Sequence, residues 1–141
     1  MAAFQKFSQF AEDLAKGVHN LDTAVIKVML TNVAPVAANS VKADITEISA
    51  VNGYSAGGAT ITGTDAEQTS GTLKLLGTSV VITANGGDVG PFRYAVAYND
   101  TPTSPADPLI GFWDHGSSIT LADGENFAFN IDAVNGLLQI S

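Results

Sequence analysis

The sequence contains no cysteine, few charged residues and no long apolar run, and each absence excludes a class of protein. Without cysteine, the chain cannot form a disulfide framework, a thiolate zinc site or an iron–sulfur cluster, and it has no cysteine nucleophile. No apolar run reaches the ~18 residues of a transmembrane helix, and the amino terminus lacks the pattern of a secretory signal. With 141 residues, of which 45% are hydrophobic, the chain is expected to fold as one soluble domain.

Basic residues are also scarce, and the charge balance is strongly acidic. Fourteen Asp and Glu oppose six Lys and Arg, which gives a net charge of −8, and Arg93 is the only basic residue after Lys74. A surface of this kind repels phosphate backbones and anionic membranes. The composition therefore predicts no direct binding to nucleic acid and no binding to membranes.

Aromatic residues are concentrated at the amino terminus, where their spacing predicts a helix over the first sixteen residues. Four large apolar residues recur every three or four positions: Phe4, Phe7, Phe10 and Leu14. Two interpretations are open, an amphipathic helix packed on its own domain or an arm that docks on a neighbouring subunit. We therefore divide the chain into an amino-terminal helix or arm (1–22) and a β domain (23–141).

From residue 23 onward, short stretches with alternating polarity are separated by turn residues, a pattern typical of β structure. Many short strands at regular spacing predict a mainly-β domain, either a sandwich or a barrel. Asp123-Gly124 has the composition of a type I′ hairpin turn. The nine predicted strands cover residues 23–31, 59–63, 72–76, 79–84, 92–99, 109–114, 118–122, 125–132 and 137–140.

The alternation also predicts which side chains share a face of a strand. In the first predicted strand, Ile26, Val28 and Leu30 lie on one face, with Lys27 and Met29 on the other. In the strand 92–99, one face should carry Phe92, Tyr94, Val96 and Tyr98, and the opposite face Ala95 and Ala97.

Residues that often carry chemistry are present, but their arrangement does not predict catalysis. Asp114, His115 and Ser118 are close in sequence, yet neighbours on a strand point apart, and there is no nucleophile elbow. Asp88, Asp100 and Asp107 offer oxygen ligands for calcium, but no calcium-binding loop surrounds them. We predict that the protein is not an enzyme and needs no metal or cofactor.

Arg93 and Trp113 each have two readings. Arg93 either pairs with a carboxylate of its own chain or reaches across a subunit interface, where arginine is enriched. Trp113, within Phe112-Trp113-Asp114, is either a core residue or a platform on which a sugar stacks. In both cases the first reading is favoured from the sequence.

Several stretches resemble small virion structural proteins of tailed bacteriophages, and in particular capsid decoration (cement) proteins. The resemblance extends over nearly the whole chain and is carried by Lys27–Asn32, Ala43–Ile48, Asn52–Gly58, Gly90–Asp100 and Pro108–Asp132. It implies a single-domain β-sandwich or jelly-roll-like fold with a short amino-terminal helix or arm.

The resemblance also implies a function without catalysis. The protein would bind the major capsid protein on the outer surface of the virion head, as a homotrimer, and stabilise contacts between capsid subunits. The alternative is a tail- or fibre-associated virion protein, in which Trp113 would serve a host-glycan site. The candidate interface residues are Phe4, Phe7, Phe10, Arg93 and Trp113.

Overall fold

The computed structural model describes residues 4–140, which form ten strands, one short α-helix and one 3₁₀ turn. The prediction of a mainly-β chain with a short amino-terminal helix is confirmed. In chain order the elements are β1 (Gln5–Lys6), α1 (Ser8–Ala15), β2 (Ile26–Thr31), the 3₁₀ turn (Lys42–Asp44), β3 (Ala59–Ile61), β4 (Asp65–Thr69), β5 (Thr72–Leu76), β6 (Val80–Thr83), β7 (Val89–Asn99), β8 (Leu109–Leu121), β9 (Asn126–Phe129) and β10 (Leu138–Ile140).

The strands form three sheets, and every pairing between neighbouring strands is antiparallel. The largest sheet has five strands in the order β1-β8-β7-β2-β3. A three-stranded sheet has the order β10-β5-β4, and β6 pairs with β9 in a two-stranded sheet. Strands β7 and β8, of 11 and 13 residues, are the longest elements.

The amino-terminal segment begins as a strand and becomes a helix only at Ser8. Residues 5–6 pair with β8, and the Phe7 amide then donates to the Ile110 carbonyl at 3.2 Å. The predicted helix therefore starts too early, because β8 draws the backbone into an extended conformation. Its residues 1–3 lie outside the described residues. Of the two predicted placements, the structure has the segment packed on its own chain.

Buried side chains form two clusters on opposite faces of the five-stranded sheet. Ile26, Val28 and Leu30 face the larger cluster and Met29 the smaller one, as the alternation predicts. The smaller cluster consists of Phe7, Met29, Val96, Tyr98, Leu109 and Phe112. The core therefore lies mainly on one side of the sheet, with a thinner apolar layer on the other.

The predicted face of Phe92 on β7 is wrong. Phe92 belongs to the larger cluster with Ala95 and Ala97, whereas Val96 and Tyr98 belong to the smaller one. The pairing explains the change, because Phe92 is opposite Ile119 while Tyr94 is opposite Asp114. This break in register shifts the alternation of β7, as β-bulges do.

Two predicted strands, 109–114 and 118–122, form one continuous strand that contains this break. Strand β8 continues from Leu109 to Leu121, where the sequence predicts an interruption after Asp114. Residues 115–118 have no partner in the ladder and stand opposite Arg93 alone. The exposed residues that suggested a loop are thus a bulge within a continuous strand.

Strand β4 is absent from the predicted strands. It forms a hairpin with β5 in which Thr69 is paired with Thr72. The connecting residues, Ser70 and Gly71, have φ values of 52° and 85°, as a two-residue type I′ turn requires. Most residues of β4 are exposed, so the strand has no apolar alternation by which the sequence could reveal it.

The hairpin predicted at Asp123-Gly124 is wrong. A tight turn is present, with the Glu125 amide donating to the Ala122 carbonyl at 2.8 Å, but the flanking strands belong to different sheets. Only Gly124 has positive φ (88°), which fits a type II turn rather than type I′. The turn therefore carries the chain from β8 of one sheet to β9 of another.

We predict that Gly58→Ala destabilises the fold much more than Gly86→Ala. Both glycines have positive φ, 81° and 90°, so alanine brings similar backbone strain of about 1–2 kcal/mol at each. At Gly58 a Cβ would also lie 1.9 Å from the Val28 carbonyl oxygen, whereas at Gly86 it meets nothing within 4 Å.

Urea unfolding should show an additional loss of about 1–3 kcal/mol for Gly58→Ala, the usual cost of overpacking. Equal losses for the two variants would show that the loop carrying Gly58 does not lie against β2 as described.

Candidate interaction site around strand β8

Four of the five predicted interface residues lie on or beside β8. Phe4 and Phe7 flank β1, which pairs with β8 at residues 111–112. Trp113 belongs to β8 itself, and Arg93 is bonded to Asp114 of β8. The fifth, Phe10, lies on α1 with its ring 5.1 Å from the His19 ring.

Phe4 and Trp113 pack together at the edge of the five-stranded sheet. Their ring centroids are 5.1 Å apart, and the Trp113 ring also meets the Phe129 ring edge-on at 4.9 Å. A Cβ at Gly111 would lie 2.0 Å from the Phe4 ring, so the missing side chain makes room for Phe4. Trp113 is only 5% exposed and is a core residue, which leaves no open face for a sugar.

Phe7 and Phe10 are buried on opposite sides of this sheet. Phe7 lies in the smaller cluster with its ring 5.2 Å from that of Phe112, while Phe10 lies in the larger one. The amino-terminal segment thus wraps around the edge of β8 and contributes to both apolar layers. Because both rings are buried, the segment is part of the folded body. Truncation of a buried phenylalanine to alanine typically lowers the free energy of unfolding by about 3–5 kcal/mol.

Arg93 makes a bidentate ion pair with Asp114 on the surface. Its Nε and Nη2 donate to the two carboxylate oxygens of Asp114 at 2.8 and 3.0 Å. The guanidinium also lies 5.5 Å from the centre of the Tyr94 ring. The pKa of Asp114 is lowered by the bond from Arg93 and then by the Gly116 amide, and Asp114 in turn raises the pKa of Arg93. With 40% of its side chain exposed, Arg93 remains accessible from solvent.

The three residues considered for catalysis, Asp114, His115 and Ser118, contact different neighbours. Asp114 is bonded to Arg93, the His115 ring meets the Phe127 ring edge-on at 6.0 Å, and the Ser118 hydroxyl donates to the Asn32 side chain at 2.9 Å. The three groups are directed to three different neighbours.

The acidic residues considered for calcium are only partly brought together. Asp100 and Asp107 are neighbours, and the pKa of Asp107 is raised by burial and then by Asp100. Lys27 Nζ lies 3.4 Å from the Asp100 carboxylate. Asp88 is elsewhere, where its carbonyl accepts from Asn52 Nδ2 at 2.8 Å. Within residues 4–140, no group of three or more His, Asp or Glu side chains is placed to hold a metal ion.

A hydrogen-bond network around Tyr54 was missed in the sequence. The Tyr54 hydroxyl donates to Glu47 Oε1 at 2.7 Å and accepts from the Leu30 amide at 3.0 Å. The same Glu47 oxygen accepts from the Gly57 amide, and the Gly57 carbonyl accepts from the Tyr98 hydroxyl. Burial, and then Glu47, raise the pKa of Tyr54, so its hydroxyl remains a donor. An aromatic residue inside a glycine-rich turn is the signal that could have revealed this network.

A second missed feature is a set of buried polar residues between α1 and β7. Asp13, His19 and Asn99 are at most 5% exposed, and Asn99 Nδ2 lies 3.1 Å from His19 Nδ1. Because an amide NH₂ only donates, His19 Nδ1 accepts and Nε2 carries the proton. His19 Nε2 and Asp13 Oδ2 are buried without a hydrogen-bond partner. The position of Asp13, three residues after Phe10, already places it near the apolar side of the helix.

We predict that His19 makes the fold less stable in mild acid. Burial lowers the pKa of His19 below its ordinary value of 6.5, and the opposing effect of Asp13 is smaller. As the pH falls below 6.5, the unfolded chain therefore takes up a proton before the folded one, and stability is lost until the folded pKa is reached.

Urea unfolding between pH 7.5 and 5 should show this loss, with a slope of at most about 1.4 kcal/mol per pH unit. His19→Gln should flatten the profile more than the control His115→Gln, which replaces an exposed histidine. Parallel profiles for the wild type and His19→Gln would contradict the prediction.

Comparison with known proteins identifies no relative of this chain. No family model, curated protein or solved structure matches the chain. Among the described residues, no helix is long and apolar enough to cross a membrane.

Proposed function

We propose that this chain is a decoration (cement) protein that binds the outer surface of a tailed-phage head and stabilises contacts between major capsid subunits. The observation that carries the proposal is that the stretches resembling cement proteins contain residues on which this fold depends. Tyr54 and Gly58, in one of those stretches, lie against β2. The stretches 27–32 and 90–100 contain all but the first residue of β2 and of β7, which pair. Because the resemblance includes residues that the fold requires, it supports a fold in common with the cement proteins. The function is then proposed by analogy with them.

We further infer that the sheets close as a β-sandwich of jelly-roll type. Side chains from the five-stranded sheet meet side chains from the two smaller sheets in one cluster. Two layers that share one core in this way are the arrangement of a sandwich. The residues that meet include Val28, Ala97 and Trp113 from the large sheet, and Leu75, Ile82 and Phe129 from the smaller ones.

The distribution of charge supports a position outside the shell. Within residues 4–140, which contain all fourteen acidic residues, Asp13 is the only one that is buried, so the other thirteen are at least partly exposed. A surface with this charge would be repelled by packaged DNA and is compatible with the solvent-facing side of a head.

The burial of Phe7 and Phe10 constrains how the amino-terminal segment could join neighbouring subunits. Their side chains are occupied by the chain's own core, so the segment would have to leave β8 of its own chain and take the same place on the next. Exchange of this kind preserves the contacts and links the subunits, as in domain swapping. The proposed homotrimer can be linked in this way, with Arg93 available at the surface.

The homotrimer predicts a mass three times that of one chain in sedimentation equilibrium. Its thermal unfolding midpoint should also rise with protein concentration, because assembly stabilises only the folded state. A single-chain mass together with a midpoint independent of concentration would contradict the trimer.

The proposed location predicts many copies spread over the head of the virion. Cryo-electron microscopy of intact particles, with copy number from quantitative mass spectrometry, measures this directly. Purified protein should also bind heads that lack it, and Arg93→Gln should weaken binding more than the control Lys74→Gln, which removes the same charge. A few copies confined to the tail would overturn the capsid assignment and favour a tail- or fibre-associated protein.

A further inference from the structure

A chain of hydrogen bonds connects the turn after α1 to the end of β7 and to the loop that follows it. Asn99, the last residue of β7, is 0% exposed, and its Nδ2 lies 3.1 Å from His19 Nδ1. On its other side, Asn99 Oδ1 accepts from the Thr101 backbone amide at 3.0 Å. We refer to these three residues as the His19 chain.

The Thr101 amide determines the direction of both hydrogen bonds in the His19 chain. A backbone amide only donates, so the Asn99 carbonyl oxygen faces Thr101 and the Asn99 NH₂ group faces His19. An NH₂ group also only donates, so His19 Nδ1 has to present its lone pair. A protonated imidazole carries a hydrogen on both nitrogens. The His19 chain is therefore satisfied only while His19 is neutral.

Thr101 in turn attaches the loop 101–108 to the start of β2. Its Oγ1 accepts from the Val25 amide at 2.8 Å, and the Asp100 amide donates to the Val25 carbonyl at 2.8 Å. At the other end of the loop, the Asn99 backbone amide donates to the Pro108 carbonyl at 3.0 Å. The Thr101 end of the loop thus depends on the orientation of the Asn99 side chain, whereas the Pro108 end does not.

The charged group that acts on His19 is Asp13 of α1, which is 5% exposed. From the same helix, the Phe10 ring packs 5.1 Å from the His19 ring. Burial lowers the pKa of His19, and Asp13 opposes this effect by a smaller amount. The neighbouring carboxylates have other partners, because Asp100 pairs with a lysine of β2 and Asp22 accepts from a backbone amide of β4. A proton on His19 is therefore attracted by Asp13, but it enters a site in which Nδ1 faces a donor.

We propose that Asn99 is an acid-sensitive switch: when His19 takes up a proton at Nδ1, the Asn99 side-chain amide rotates by half a turn and releases the Thr101 amide. After the rotation, Asn99 Oδ1 accepts from His19 Nδ1, while Asn99 Nδ2 and the Thr101 N–H face each other as two donors and move apart. Thr101 is exposed, so its amide can bind water instead. The loop 101–108 is thereby loosened at its Thr101 end.

The switch is a local change within the folded protein, whereas the loss of stability in acid described above concerns the whole fold. It also does not depend on the proposed capsid function, because it rests only on the bonds of the His19 chain and on the burial of its members.

The test follows ¹⁵N-labelled protein by NMR as the pH is lowered from 7.5 to 5. We expect the Thr101 and Val25 backbone amides to shift with one midpoint, which equals that of the His19 ring and lies below 6.5. The amides of β5, in the three-stranded sheet, report whether the fold is intact and should keep their folded signals. Loss of these signals at the same pH would show that the whole domain unfolds, which would overturn the switch.

His19→Gln offers a neutral acceptor that takes up no proton, so it should abolish the shifts of the Thr101 and Val25 amides at this midpoint. The matched control is His115→Gln, at an exposed histidine, which should leave both shifts as in the wild type. The comparison also separates the effect of His19 from that of Asp107, a carboxyl group in the same loop whose pKa is raised by burial.

Asn99→Asp should reverse the preference of the His19 chain. A carboxylate accepts from both the Thr101 amide and a protonated His19, so the pKa of His19 should rise above its wild-type value. If this variant does not fold, the titrations of the wild type and of His19→Gln decide by themselves. The proposal is wrong if the Thr101 amide does not follow the His19 ring, if His19→Gln titrates as the wild type does, or if folded Asn99→Asp leaves the pKa of His19 unchanged.

Discussion

Strands β7 and β8 pair over most of their length, and the neighbouring elements are held by contacts with this pair. β2 continues the sheet from β7, while β1 continues it from β8. Near the middle of the pair both faces are buried, because Ala95 and Ala97 face one apolar cluster and Val96 and Tyr98 the other. The long pair therefore determines where both apolar layers lie.

The break in register within this pair is an exposed bulge between two stretches of the ladder that carry buried side chains. On one side of the break, Trp113 is buried and β1 covers the edge of β8. On the other, Phe92 and Leu121 are buried, and residues 115–118, at the break between the two, leave the ladder and are exposed. Arg93 lies at the break itself, and its bonds to Asp114 connect the two strands where backbone pairing is interrupted. The ion pair thus lies at the point where the ladder is interrupted and residues of β8 are exposed to solvent.

The parts of the fold that could be predicted are those in which one face of a strand is buried. β6 and β9 were found because buried apolar residues alternate with exposed ones there, and hydrophobic periodicity reports burial directly. β4 was missed because exposure removes that signal. The face of Phe92 was assigned wrongly because a break in register depends on the partner strand, which local alternation cannot show.

The candidate site was predictable in part for the same reason. The apolar character of Phe7, Phe10 and Trp113 correctly indicated side chains that need burial, but not which surface would bury them. His19 and Tyr54 depend on partners far along the chain, as in the contact between His19 and Asn99 and the bond between Tyr54 and Leu30. Spacing within one element carries no information about such contacts.

The exposed hairpin strand β4 has a consequence for crowding. It forms the outer edge of its sheet, a position that can template pairing with another strand, and the Ala66 amide of β4 donates to Asp22 Oδ1 at 3.2 Å. Asp65 and Glu67 lie along this edge, and two copies approaching edge to edge would bring like charges together. Many copies held side by side on one surface would therefore be kept from joining their sheets into a continuous aggregate.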